Sequence, residues 1–142
     1  MKDSIEALYK EVVLEHFRRP RNRSPLESPD GTSTVLNPLC GDQVRVEVKV
    51  SNGRVSDTSA RTRGCSIAVA AGSVMTELVA GMDPAAISQL ADEVGRVVRG
   101  EETGEQLDTR LRAFGRVADL PSRQRCALLP WEALEEALQE AR

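Results

Sequence analysis

A mixed α and β fold is what the sequence predicts, on three observations. A helical stripe of apolar residues opens the chain, an alternating valine run followed by Asn52-Gly53 reads as an antiparallel hairpin, and the second half repeats apolar residues at helical spacing. The 142 residues form no internal repeat and show no linker, so a single domain over residues 1–142 is expected. A domain of that size buries roughly two-thirds of its unfolded surface.

The elements follow in order. Ile5, Leu8, Tyr9, Val12, Val13 and Phe17 mark a helix over residues 4–17, with Asp3 and Glu6 offering a capping-box start and Pro20 ending it. Residues 18–37 hold four prolines or glycines amid Arg, Ser and Asn and read as a long loop, with a short edge strand around Thr34 to Leu36. Val44, Val46, Val48 and Val50 alternate with Arg45, Glu47 and Lys49, as a strand with one buried face requires. Asn52-Gly53 suits the positive φ of a tight turn, so Arg54 to Arg63 return antiparallel. Ile67, Ala71, Val74 and Leu78 then mark one face of a helix that Gly81 caps. Asp83-Pro84 begins another, with Ile87, Leu90, Val94 and Val97 inward and Gly100 closing it. A short helix on Leu107, Leu111 and Phe114 is expected next. The end reads as a short helix carrying Cys126, an interruption at Pro130, and a final helix on Trp131, Leu134 and Leu138.

Composition excludes several functions. A net charge of −3 provides no global field for nucleic acid or a membrane surface. Arg18, Arg19, Arg21 and Arg23 form a local basic run that is either a solvated loop or a dock for an acidic partner. Asp3, Glu6 and Glu11 fall where a secretory signal would need an unbroken apolar stretch, and no later segment approaches a membrane span, so a cytoplasmic location is expected. His16, the single histidine, reads as a packed or surface helix position, and Ser73, Thr76 and Glu77 as ordinary helix positions. No phosphate-cradling or dinucleotide motif is present.

Three cysteines in a reducing compartment speak against a disulfide framework. Cys40 lies in a loop before a strand, Cys65 at the start of a helix, where backbone amides favour a thiolate, and Cys126 near the start of a late helix. They stand 25 and 61 residues apart, so only folding could gather them. One reading makes each a small buried apolar residue. The other makes them ligands. Cys40 and Cys65 each adjoin a glycine, which lets other groups approach, and on an extended segment the Cys40 sulfur and the Asp42 carboxylate face the same side. With Cys65 and Cys126 they make a set of three thiolates and one oxygen that tetrahedral zinc accepts.

Four stretches in this order, LYKEVVLEHFRRPRN, NPLCGD, GCSIAVAAGSVMTE and LPSRQRCALLPWEAL, resemble the U-type iron-sulfur cluster assembly family (IscU/NifU N-terminal-like) across nearly the whole chain. The resemblance implies a compact α+β fold, SufE/NifU-like, in which a small antiparallel sheet of about three strands carries helices packed on one side. Of the family's two branches, cluster scaffolds tend to carry a histidine before the last cysteine. Arg125 stands there, and the long stretch between Cys65 and Cys126 is similar to the insertion of the SufU branch.

By this resemblance Cys40, Asp42, Cys65 and Cys126 would hold zinc. Cys40 would be the catalytic residue of a sulfurtransferase, a persulfide carrier receiving sulfur from a pyridoxal-phosphate (PLP) dependent cysteine desulfurase of the SufS type and serving downstream SUF assembly components. A histidine of that partner would displace Cys40 from the metal and release its thiolate for attack. The alternative is a scaffold on which an iron-sulfur cluster is built and transferred. Thr62 stands where the family often has glycine, and Ala68, Ala71 and Val74 replace serines and a methionine common in the following helix. Arg123 matches an arginine common in the SufU branch, which leaves it either near the site or solvated at a helix start.

Overall fold

A computed structural model describes residues 2–38 and 41–141, with side chains from residue 5 onward. Five α-helices and three strands follow one another as α1 Lys2–Arg18, β1 Gly31–Asn37, β2 Asp42–Ser51, β3 Arg54–Arg63, α2 Ser66–Leu78, α3 Pro84–Val98, α4 Thr109–Arg112 and α5 Pro121–Glu140, with a 3₁₀ segment Ala113–Asp119 before α5. The strands form one antiparallel sheet in the order β1-β2-β3. The fold is α+β with helices over one face of that sheet.

The valine alternation sets the layers. Val44, Val46 and Val48 are fully buried on the face covered by α2 and α5, while Arg45 and Lys49 point to the other side. Asn52 and Gly53 both have positive φ, 55° and 74°, the conformation the β2–β3 hairpin needs. The edge strand β1 runs from Gly31, further than expected, because α5 packs along it. A Cβ at Gly31 would collide with the Ala137 carbonyl of α5, so the missing side chain sets how closely strand and helix approach.

Several sequence expectations change. α1 starts at Lys2, so Asp3 is inside the helix and does not cap it. Phe17 is 46% exposed while His16 beside it is buried, which turns the stripe away from the expected face at its C-terminal end. In α2 nearly every residue from Ile67 to Thr76 is buried, not one face only, because the helix lies between β3, α1 and α5. The helix ends at Leu78 with Val79 as its C-cap; Gly81, at φ +82°, serves the following turn and donates its N–H to the Val55 carbonyl at 2.8 Å. Asp83 caps α3 as its position suggests, its carboxylate accepting from the Ala86 N–H at 2.8 Å.

The largest change is at the C-terminus, where one continuous helix replaces the expected two, with Pro130 inside it. An internal proline costs about 3 kcal/mol, since it withholds the amide that residue 126 would otherwise receive. Leu129, Leu134 and Leu138 are all buried in α5. At about 2 kcal/mol for each such side chain, their burial outweighs the break.

The loop between α1 and β1 wraps the free edge of β3 and crosses the outer face of the sheet. The Asn22 carbonyl accepts from the Ala60 N–H at 2.9 Å, and the Leu26 N–H donates to the buried Glu47 carboxylate, also at 2.9 Å.

Candidate functional site

Three separate parts of the chain meet at one end of the sheet. Asp42 is the first residue of β2, Cys65 immediately precedes α2, and Cys126 lies in the N-terminal half of α5. One carboxylate oxygen and two sulfurs from these residues lie within 4.8 Å of one another. Cys40, the fourth expected member, lies outside the described residues.

Local sequence explains the placement. Gly41 has φ +76°, which glycine adopts without strain, and its N–H donates to the Asn37 carbonyl at 2.8 Å, closing the β1–β2 turn and starting β2 at Asp42. On the far side β3 ends at Arg63, and the chain passes through Gly64 against the Asp42 side chain. Any Cβ at Gly64 would run into that carboxyl group. The Cys65 N–H then donates to Asp42 Oδ1 at 3.2 Å. Cys65 occupies the N-cap of α2, but its side chain makes no capping bond, which leaves the sulfur for the cluster.

The environment favours a cation. Asp42 and Cys126 are buried and Cys65 is half-buried. Burial pushes the Cys126 thiol far above its ordinary range, and hydrogen bonding to Asp42 and the charge of Cys65 push it further. Three donors that become anionic on ionising cannot all do so at this separation without a positive charge among them. A divalent ion there inverts the balance and takes the place of the thiol protons. Two sulfurs and one oxygen are donors that zinc accepts, and iron also accepts thiolates. The donor chemistry and the space left by Gly64 therefore fit a metal centre.

Arg123 is exposed on the first turn of α5, and the charge of Cys65, followed by that of Cys126, holds its guanidinium above its usual range. Both readings of this residue find support: it is exposed at a helix start and within electrostatic reach of the thiols. Tyr9 of α1 is a member of this neighbourhood that its apolar spacing concealed. Burial raises its phenol, Arg116 opposes this, and Cys65 adds to it.

His16 is packed, as expected. Its Nδ1 lies 2.7 Å from Ser73 Oγ and its Nε2 3.7 Å from Glu77, and burial holds the imidazole below its ordinary value. Ser73 and Glu77 are more than ordinary helix positions. Ser73 Oγ also accepts from the Arg21 N–H at 2.8 Å, and Glu77 pairs with Arg110 at 3.0 Å and with Arg21 at 3.7 Å. Thr76 accepts from Asn22 at 3.0 Å. Arg21 is thus bound into the molecule, whereas Arg18, Arg19 and Arg23 are exposed. Among the described residues no helix is long and apolar enough to cross a membrane.

Comparison with known proteins places this geometry among relatives. Residues 8–141 match the NifU-like N terminal domain family. The chain is similar to the zinc-dependent sulfurtransferase SufU of Bacillus subtilis, 31% identical over 139 residues, covering 95% of this chain and 92% of the relative. It is as similar to the iron-sulfur cluster assembly scaffold protein IscU of Streptococcus pyogenes serotype M1, 32% identical over 138 residues, with 96% and 86% covered. The crystal structure of a candidate iron-sulfur cluster assembly scaffold for the SUF system, from Fervidobacterium islandicum AW-1, superposes with a TM-score of 0.85 at 25% identity, covering 94% of this chain and 98% of that one. With a family match over nearly its full length and relatives above 30% identity on both sides, the chain belongs to the NifU-like N-terminal domain family.

Proposed function

We propose that this chain is a zinc-dependent sulfur carrier of iron-sulfur cluster assembly. Cys40, Asp42, Cys65 and Cys126 would hold the ion, and Cys40 would accept sulfur from the persulfide of a PLP-dependent, SufS-type cysteine desulfurase and pass it to downstream SUF components. The observation that carries the reading is the convergence of Asp42, Cys65 and Cys126 within 4.8 Å from three distant parts of the chain. The full-length likeness to a zinc-dependent sulfurtransferase supports it.

Bound zinc would keep the coordinating thiols deprotonated at neutral pH. The chain supplies the rest. Asp42, fixed by the Cys65 N–H and pressed against Gly64, positions the oxygen donor. Arg123 puts a positive charge beside the thiols, where an arriving persulfide anion would be drawn in. Transfer is a thiol exchange: the Cys40 thiolate attacks the outer sulfur of the desulfurase persulfide. A new S–S bond forms on Cys40 as the old one breaks, the desulfurase cysteine leaves as thiolate, and no external oxidant or reductant is required.

The test is desulfurase turnover of cysteine on mixing with this chain. Wild type should stimulate it and Cys40→Ala should abolish the stimulation while the protein stays folded; stimulation that persists in Cys40→Ala removes Cys40 from the mechanism. A second reading, a cluster scaffold, is supported by the equal likeness to IscU and by donors that iron also accepts. Against it, Arg125 stands beside Cys126 and turns to Glu132 at 3.5 Å, and the single histidine is committed to Ser73 and Glu77. Anaerobic reconstitution with iron and sulfide distinguishes the two. A coloured product that passes a cluster to an apo-acceptor supports the scaffold, and a colourless zinc-retaining product supports the carrier.

A further inference from the structure

β3 is an edge strand, and only part of its edge is covered. Ala60 donates its N–H outward to the Asn22 carbonyl at 2.9 Å. Backbone groups of residues two apart on a strand face the same side, so the N–H and C=O of Thr62 also point outward. Among the described residues neither has a backbone partner. Such an edge is an open template for another strand.

Both flanks of Thr62 are hollow. On the helical side a cleft of about 390 Å³ is bounded by Phe17, Arg23, Gly64 and Val69. Phe17, 46% exposed, offers a large apolar surface there. On the outer side a second hollow is walled by Arg45, Arg61 and Arg63. Arg23 and Arg63 are exposed and make no ion pair among the described residues, and the Arg61 contact to Glu47 is long at 3.5 Å. In a chain of net charge −3 this is a concentrated positive strip.

We infer that the β3 edge at residues 62–64 is the docking track for an extended acidic segment of a partner protein. The segment adds as a strand on Thr62, seats an apolar side chain over Phe17 and Val69 on the helical side, and turns the alternate carboxylates to Arg61 and Arg63 on the outer side. The track ends at Gly64, so the segment delivers its neighbouring chain beside Cys65. This surface requires neither zinc nor sulfur transfer and stands or falls separately from the carrier reading.

The probe is a short synthetic peptide alternating Asp and Leu, with a Lys-for-Asp peptide as control, titrated into the isotope-labelled full chain. Amide shifts should cluster at Phe17, Thr62, Gly64 and Val69 and weaken with added salt. Affinity should fall roughly tenfold in Arg61→Glu/Arg63→Glu. Thr62→Pro removes an N–H without an internal partner, a change edge strands tolerate, so it should keep the native spectrum and lose the peptide. The inference is overturned by no shifts at millimolar peptide, by equal binding of the Lys peptide, by undiminished binding to Thr62→Pro, or by sedimentation showing that a second copy of the chain occupies this edge.

Discussion

At the scale of single residues, Gly64 is the most informative position after the candidate ligands themselves. The glycine beside Cys65 suggested in the sequence that something must come close, and the structure identifies it as the Asp42 carboxyl group. Gly64→Ala should push Asp42 off its position beside the Cys65 N–H. The expected loss is roughly tenfold or more in zinc affinity, as for other supports of metal ligands, together with about 1–3 kcal/mol of stability from overpacking. Competition with a chromophoric chelator and a chemical melt measure the two, and unchanged zinc affinity in a folded variant would remove Gly64 and Asp42 from the site. Asp42 was named from two-residue spacing on an extended segment, but Gly41 at φ +76° makes a turn there, and Asp42 reaches the site as the first residue of β2. Tyr9 and Glu77 were not legible, since a tyrosine in an apolar stripe and a glutamate on a helix carry no mark of the partners that folding brings to them.

At the scale of elements, the approach of α5 to β1 holds Cys126 over the sheet. Gly31→Ala places a methyl group where the Ala137 carbonyl lies, and backbone cannot yield as a flexible side chain would. A loss of about 1–3 kcal/mol is expected, read as a lower denaturant midpoint with an unchanged slope; a neutral result would mean that strand and helix lie further apart than described. The β2–β3 hairpin was readable because period-two alternation and Asn52-Gly53 are local signals, although β2 opens at Asp42, before the valine run, and its register with β3 shifts at Lys49/Val50. The end of the chain was not. Pro130 is a local break signal, and the buried leucines that overrule it count only once α5 has a sheet beneath it. The all-round burial of α2 escaped notice for the same reason: amphipathic spacing describes a helix with one solvent face, and α2 is enclosed on several sides.

At the scale of the whole molecule, β2, the β3–α2 junction and α5 join side chains that no local interaction would bring together. Besides sharing the hydrophobic core, these elements meet where Asp42, Cys65 and Cys126 converge. Binding of an ion there is therefore coupled to folding: removing it should lower the melting temperature, and restoring zinc should return it. The fold class could be read from apolar periodicity and the ligand candidates from the cysteines with their neighbouring glycines, whereas the convergence of Asp42, Cys65 and Cys126 belongs to the tertiary structure. The most direct measurement is X-ray absorption at the zinc edge on protein purified without added metal. The account predicts one zinc per chain with three sulfur neighbours at about 2.3 Å and one lighter atom at about 2.0 Å; a shell of only nitrogen and oxygen, or no metal retained, would contradict it.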